Sequence, residues 1–346
     1  MSATLLAAFP SAPQPSPHLL LALVEAATLA PSSHNAQPWR FRLRDQRLHV
    51  YADLSRRLPV VDPNDHELYI SLGCAIENVV LAARAFGYDA CVSYAPFSAR
   101  GSATSQVLAA IVDLVPGRSD FGDVALFAAI EKRQTTRTAY AEMPIAIWDL
   151  RSLARSIADC GGTTHVRFLQ DESERRILEP LVAAATRHQF RDPAFRRELA
   201  SWIRFSRRAA SAPDGMTAAS LGVPDAPDWL GRFMLERVIG TERQARANVR
   251  LLRRTPLLAV FSTTRRDAQG CMELGRAFQR FALCATMLDL RHSHLNMLCE
   301  VASVRVSLKR FLGLPGGTEP LLAIRVGKGL TMPRTRRRQV PAVLDP

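Results

Sequence analysis

The pattern of hydrophobic and polar residues predicts helices and strands that follow one another in two similar blocks. Apolar residues recur at helical spacing over about 18–29 and again, nearly without interruption, over about 66–86. Between them, alternating runs at 39–43 and 47–52 predict a hairpin that turns at Asp45 and Gln46. The second helix is apolar nearly all round, so we expect it to be central and buried on several sides.

The rest of the chain continues this mixture of elements. The pattern predicts strands at 90–94, 107–115, 164–169, 255–263 and 320–326, and helices at about 121–132, 147–159, 171–188, 192–206, 270–288 and 299–312. The segment from Ala210 to Asp228 has no period and is rich in small residues and proline. Loops of this length in a compact domain are either functional or disordered.

Two stretches of the pattern resemble each other. The residues from Gly73 to Leu81 have the same helical phase as those from Gly275 to Leu283, and each block then reaches a strand that ends in valine and glycine. If this is a true repeat, the chain is two copies of one α+β unit folded as an intramolecular pseudo-dimer. Two unrelated buried helices of similar composition would give the same pattern.

Composition indicates an ordinary globular protein. The 346 residues are enough for two domains, and 47% hydrophobic with 22% charged residues is typical of soluble chains. No segment reaches the roughly 18 uninterrupted apolar residues of a membrane helix, because the longest candidate, 68–86, contains Glu77 and Arg84. The six cysteines show neither a C-x-x-C pair nor metal-ligand spacing, so we expect reduced thiols in a cytoplasmic protein without a metal.

The net charge of +13 raises the question of a nucleic-acid partner. The arginines are spread through the chain with acidic residues between them, and no RRM, zinc-finger or basic-zipper pattern occurs. We therefore expect neither a nucleic-acid nor a membrane partner, although a nucleic-acid-binding protein would show affinity that falls steeply with salt. A basic surface could equally serve an anionic ligand such as a phosphorylated cofactor.

The turn between the first helix and the first strand carries the most specific motif. Its sequence is Ala30-Pro31-Ser32-Ser33-His34-Asn35-Ala36-Gln37-Pro38-Trp39. Proline stops the helix, and the hydroxyl and amide side chains can hold a tight turn, which alone would explain any single residue. The whole string closely resembles the P-S-x-x-N-x-Q-P-W segment of the FMN-dependent nitroreductase superfamily. There this segment lies against the flavin from the neighbouring subunit, which implies such a role for Pro31, Ser32, Ser33, Asn35 and Gln37.

A second motif, Arg133-Gln134-Thr135-Thr136-Arg137-Thr138-Ala139-Tyr140, resembles the R-x-S-x-R-x-(F/Y) start of the same superfamily. The resemblance implies that Arg133, Thr135 and Arg137 hold the FMN phosphate, since guanidinium donors match phosphate oxygens. Two arginines four residues apart also arise by chance in so arginine-rich a chain. The first block lacks this motif and the second lacks the flavin-facing turn, so the two blocks together would supply one complete site.

Two further segments follow from the resemblance. The turn after the Gly275 helix, which approaches flavin N5 in the family, corresponds to His294, Leu295, Asn296 and Met297. Family members usually have glycine where Asp289 stands, and a solvated turn is the alternative for His292 and His294. His-x-His is also too little for a metal site. A basic phosphate contact in the family's tail would fall on Arg337 or Arg338, with a solvated terminus as the alternative.

The resemblance covers about 18–344 and is closest to the tandem, Acg-like subfamily. It implies an arm at 1–17, a first unit at 18–120, and a second unit at 121–346 with a lid near 207–230. The implied fold is α+β, two nitroreductase-like units with antiparallel or mixed sheets covered by helices. The pseudo-dimer would be a monomer, with further dimerisation left open.

The activity that the resemblance implies is that of an FMN-binding, NAD(P)H-dependent oxidoreductase. It would reduce a nitroaromatic or quinone-type electrophile by ping-pong hydride transfer, with NADPH or NADH as the reductant. No catalytic side chain is expected, because the flavin carries the chemistry. The alternative is a protein that stores FMN beneath a closed lid, with little or no turnover.

Overall fold

The computed structural model describes residues 16–44, 47–95, 105–118, 120–158 and 162–345. The helices of this part are α1 (Pro17–Thr28), α2 (His66–Ala85), α3 (Phe121–Ala129), α4 (Ile147–Ser156), α5 (Glu172–Ile177), α6 (Glu179–Arg191), α7 (Pro193–Ser201), α8 (Ala218–Leu221), α9 (Asp228–Phe233), α10 (Thr241–Arg253), α11 (Ala268–Met287), α12 (Met297–Glu300), α13 (Ala302–Phe311) and α14 (Val340–Val343). Its strands are β1 (Trp39–Arg44), β2 (Arg47–Asp53), β3 (Tyr88–Tyr94), β4 (Gln106–Pro116), β5 (Thr164–Leu169), β6 (Ile203–Arg204), β7 (Met216–Thr217), β8 (Leu257–Thr263), β9 (Arg291–His294), β10 (Glu319–Gly327) and β11 (Leu344–Asp345).

The strands form two main sheets. One has the order β11-β1-β2-β4-β3 and the other the order β5-β8-β10-β9, while β6 and β7 pair by themselves. The pairs within the main sheets are antiparallel, except that β11 lies parallel to β1. The residues that join β1 to β2, Asp45 and Gln46, lie outside the described residues. Mixed sheets covered by helices confirm the predicted α+β class.

The long helices α2 and α11 pack against each other through two glycines. A Cβ atom on Gly73 would lie 2.1 Å from the carbonyl oxygen of Met272, and one on Gly275 would lie 2.1 Å from that of Ile70. Each of these carbonyls stands three residues before the opposing glycine. Only glycine permits backbones to approach this closely, so the glycines set the distance between the helices.

Buried polar side chains connect the same two helices. The carboxylate of Glu77 pairs with Arg276 at 2.7 Å and with Arg280 at 3.0 Å, and the Asn78 amide accepts a 2.6 Å hydrogen bond from Gln279. In the described chain α2 is the one helix long and apolar enough to cross a membrane, but 89% of that stretch is buried inside the protein. The helix is therefore part of the core, as its pattern predicts.

Some predicted boundaries are wrong. The helix expected over 192–206 ends at Ser201, after which β6 pairs with β7, and the segment 210–228 contains β7 and α8 instead of being irregular throughout. Helix α10 has no counterpart in the prediction, because its buried positions are Ala245, Asn248 and Leu252, which make a weak apolar pattern. The 171–188 helix is two helices, α5 and α6, divided at Leu178, with Pro180 in the first turn of the second.

Candidate cofactor site

The turn after α1 has a strained backbone. His34, Asn35 and Gln37 have φ angles of 52°, 57° and 54°. These lie in the left-handed region, which residues other than glycine seldom adopt. The Ser32 hydroxyl accepts a 2.9 Å hydrogen bond from the Gln37 amide and closes the turn, behind the buried Pro31. Such strain persists when the surroundings hold it, and it concentrates at functional sites.

Asn35 connects this turn to two distant segments. Its Nδ2 donates to the carbonyl oxygens of Gly215 at 2.8 Å and of Arg336 at 3.1 Å, while its Oδ1 accepts from Arg337 at 2.6 Å. The side chain is itself buried. The turn therefore lies where the 213–215 segment and the C-terminal tail meet.

The 213–215 segment is docked on the turn by further polar contacts. Gln37 Nε2 donates to the carbonyl oxygen of Pro213 at 2.8 Å. The next residue, Asp214, forms ion pairs with Arg56 and with Arg204, and all three side chains are less than one-fifth exposed. This segment belongs to the stretch for which the family resemblance implies a lid.

Three arginines converge beside the turn without a carboxylate partner. In the described part of the chain no ion pair reaches Arg133, Arg137 or Arg337. Burial lowers the pKa of Arg133 and Arg137 to about 10 and that of Arg337 to about 9. The like charge of neighbouring arginines adds to each effect; for Arg337 these neighbours are Arg133, Arg334 and Arg137. Such a cluster of cations attracts an anion.

Three imidazoles beside this cluster stay neutral. Burial, helped by the charge of Arg137, lowers the pKa of His34 to about 4, and the same two causes together with Arg133 lower that of His294 to about 3. His292 is fully buried and its pKa also falls well below the ordinary value. His294, two residues further on, has a solvent-exposed side chain. A solvated turn is therefore wrong for His292.

Several buried polar atoms at this place lack a hydrogen-bond partner within the described residues. They are His34 Nε2, Arg133 Nε and Nη1, both ring nitrogens of His292, and Arg337 Nε. Buried polar groups are nearly always hydrogen-bonded, so a cluster of exceptions needs an explanation. A ligand with an anionic group and polar ring atoms would satisfy them.

The segment after α11 lies against the arginine motif. Thr135 bridges to His292, and the Thr136 amide donates to the carbonyl oxygen of His292 at 3.0 Å. Asp289 has a φ of 55°, so it keeps the left-handed conformation that glycine would adopt there. The structure thus brings the 294–297 segment, the arginine motif and the 31–37 turn together.

Not every predicted residue points to the cluster. The Leu295 amide donates to the carbonyl oxygen of Ala323 at 2.8 Å, and Asn296 Oδ1 accepts from the Ala323 amide at 3.1 Å, while Met297 begins α12. Arg338 is buried and donates to backbone carbonyls, including that of Gln37 at 3.3 Å. Of the two tail candidates, only Arg337 joins the cluster, and neither side chain is fully solvated.

Two functional candidates carry no signal in the sequence. Glu67 accepts hydrogen bonds from Ser33 and Asn296, and it also contacts Glu300. An acid in the first turn of a helix is ordinarily explained by the helix dipole. Its burial could have been inferred only from the apolar residues on all sides of α2.

The chain is similar to known proteins along nearly all of its length, although no protein-family model matches it. "Putative NAD(P)H nitroreductase Rv3131" of Mycobacterium tuberculosis is 28% identical over 323 residues, which cover 92% of this chain and 89% of the relative. "Putative NAD(P)H nitroreductase acg" of the same organism is 25% identical over 331 residues, which cover 92% of this chain and 93% of the relative. These similarities confirm the predicted relation to the nitroreductase superfamily.

Among solved structures, a nitroreductase with bound FMN from Bacteroides fragilis matches 61% of this chain and 93% of its own. The sequence identity is 16% and the TM-score is 0.37. A match at that score supports no assignment by itself.

Proposed function

We propose that this nitroreductase relative binds one FMN and uses it to pass hydride from NADPH or NADH to an electrophilic small molecule. The electrophile is of the nitroaromatic or quinone type, and the two half-reactions alternate in the same cleft. The observation that carries the proposal is the cluster of Arg133, Arg137 and Arg337, whose charges have no carboxylate partner in the described chain. The names of the relatives support the same activity.

The arginines would hold the FMN phosphate. Arg133 and Arg137 come from one loop and Arg337 from the tail, so a phosphate between them would neutralise charges from two segments. Thr135 would add a hydroxyl contact beside them. Each charge-assisted hydrogen bond of this type is worth about 1.5–3 kcal/mol.

The strained turn and the 294–297 segment would hold the isoalloxazine ring. Bound FMN would supply the redox chemistry, accepting and releasing the hydride. The chain would position it through the backbone of the 31–37 turn, because the side chains of Asn35 and Gln37 are already bonded to the 213–215 segment. The neutral ring nitrogens of His34 and His292 could meet polar atoms of the flavin without adding charge.

We further propose that the chain is a pseudo-dimer of two units, 18–120 and 121–346, preceded by an arm at 1–17. The contact of Gly73 with the carbonyl of Met272 becomes that of Gly275 with the carbonyl of Ile70 when the two helices are exchanged. The Asn78–Gln279 hydrogen bond likewise becomes the Glu77–Arg280 ion pair. A chain that already contains both halves would act as a cytoplasmic monomer, without nucleic-acid or membrane partners.

The 207–230 segment would act as a lid. The proposal is supported by Pro213 and Gly215 of this segment, whose carbonyl oxygens accept hydrogen bonds from Gln37 and Asn35. A lid that opens would admit a nicotinamide, whereas one that stays closed would make the protein an FMN store. The observation that favours storage is the pair of arginines on Asp214; the relatives' names favour turnover.

The test is the visible absorbance of the purified protein, followed by NADPH or NADH under anaerobic conditions. We expect flavin bands at about one FMN per chain that bleach on addition of the nucleotide and return when a quinone is added. Bands that persist would support storage. A protein that is colourless and does not bind added FMN would refute the proposal.

A further inference from the structure

Two carboxyl groups lie in contact beneath the strained turn. Glu67, at the start of α2, is buried, and its carboxyl oxygens accept hydrogen bonds from the Ser33 hydroxyl and from Asn296 Nδ2. The Glu67 carboxyl is also hydrogen-bonded to that of Glu300, the last residue of α12. Glu67 therefore connects both segments that are proposed to hold the isoalloxazine ring.

Carboxyl groups in such contact cannot both be ionised. Burial raises the pKa of Glu67 well above its ordinary value, and the negative charge of Glu300 raises it further. Burial also raises the pKa of Glu300. Since like charges in contact repel strongly away from water, the two groups titrate as a pair that keeps its last proton to a higher pH than a free glutamate does.

A small cavity joins this pair to the outside. It measures about 70 Å³, which is room for a few water molecules, and its walls include Glu67, Asn296 and Glu300. The other titratable or charged groups that face the pair or the cavity are Asp62, His66, Cys299, Arg305 and, near His66, Asp65 and Glu319. Water in the cavity could therefore return a proton to the pair.

We propose that the Glu67–Glu300 pair supplies the proton that accompanies hydride delivery to the substrate, with Ser33 as the intermediate group. This inference rests on the proposed function. Bound FMN would supply the hydride taken from NAD(P)H, and the chain's own contribution is the proton, for which the O–H bond of the shared carboxyl proton breaks. The Ser33 hydroxyl takes that proton and gives its own to the reduced substrate. A hydroxyl is both donor and acceptor, so its rotation allows this transfer.

The experiment compares the wild type with Glu67→Gln and Glu300→Gln, and uses the exposed Glu131→Gln as the matched control. Glutamine at 67 is close in shape to a protonated glutamate, with one acceptor and one donor group, but it has no acidic proton to transfer. In stopped-flow measurements of the FMN-loaded protein, Glu67→Gln should be reduced by NADPH within about twofold of the wild-type rate. Its reoxidation by 1,4-benzoquinone should be at least tenfold slower and should lose its pH dependence, since general acids contribute about 10²–10⁴-fold.

Melting curves of the flavin-free protein from pH 5 to 9 give a readout that does not depend on activity. The melting temperature of the wild type should fall as pH rises and the pair loses its proton. In Glu67→Gln this fall should be smaller. If Glu67→Gln does not fold, Glu300→Gln replaces it. Without the second carboxyl, Glu67 gives up its proton at lower pH. The pH above which the reoxidation rate falls should therefore be lower than in the wild type.

Wild-type reoxidation rates and pH profiles in both variants would overturn the proton-donor role. Melting curves with the wild-type pH dependence would overturn the sharing of the proton. A wild type that binds no FMN would refute the proposed function and the donor role together, while the melting curves would still show whether the pair shares a proton.

Discussion

Replacing Arg137 by glutamine should stabilise the flavin-free protein and weaken flavin binding at the same time. The pKa of Arg137 falls from 12.5 to about 10, chiefly through burial, and its guanidinium donates only to Met216 Sδ, at 3.3 Å, among the described residues. Because one pKa unit corresponds to about 1.4 kcal/mol, this charge costs roughly 3 kcal/mol when no anion is bound. The side chain is partly exposed to solvent, so screening reduces the cost to about 1–2 kcal/mol.

A phosphate would offset this cost in the wild type. Losing one charge-assisted hydrogen bond of about 1.5–3 kcal/mol should raise the Kd for FMN about 10- to 150-fold. Urea unfolding of the flavin-free protein measures the first effect, and titration of FMN fluorescence measures the second. Arg310→Gln, at an exposed position outside the cluster, is the matched control and should change neither.

The two effects have opposite signs, which separates this explanation from a structural role. An Arg137→Gln protein that is less stable than the wild type without flavin would show that the guanidinium holds the fold together. One that binds FMN as tightly as the wild type would remove Arg137 from the phosphate site.

Three other substitutions test the architecture. Gly73→Ala should lower the free energy of unfolding by about 1–3 kcal/mol or more, despite the better helix propensity of alanine, because its Cβ would meet the carbonyl of Met272. Gly316→Ala is the control, since open space surrounds that position. Equal denaturation midpoints for the two variants would refute the contact. The pKa of Asp62 is raised to about 8, so its neutral form stabilises the wild-type fold at low pH and this stabilisation is lost as pH rises from about 4 to 8. Asp62→Asn should therefore show a smaller fall in melting temperature over that range. A pH profile like that of the wild type would contradict this. Asn35→Ala should lower the free energy of unfolding of the flavin-free protein by about 1–3 kcal/mol and weaken FMN binding, since the buried amide joins three segments. An unchanged melting temperature would leave Asn35 a role in flavin binding alone.

The sequence by itself determined the class of fold and most of its long elements. Helices α2 and α11 and strands β8 and β10 are long, strongly apolar and bounded by clear stop signals, so local pattern was enough to find them. The motifs at 31–39 and 133–140 also needed no structure, because a fixed order of unusual residues is visible in the chain itself. That order led to the nitroreductase superfamily, which the relatives confirm.

Only the tertiary structure decided which of these residues act together. Arg337 joins the cluster and Arg338 does not, although they are neighbours in the sequence. The tail runs beside the 35–42 segment, so that Arg337 lies among the arginines of the cluster while Arg338 reaches the carbonyl of Gln37. The Glu67–Glu300 pair is likewise invisible in the sequence, since more than 200 residues separate its members. Burial and proximity set the pKa of a group and the partners it can reach, and both depend on how distant segments pack, which a local pattern does not contain.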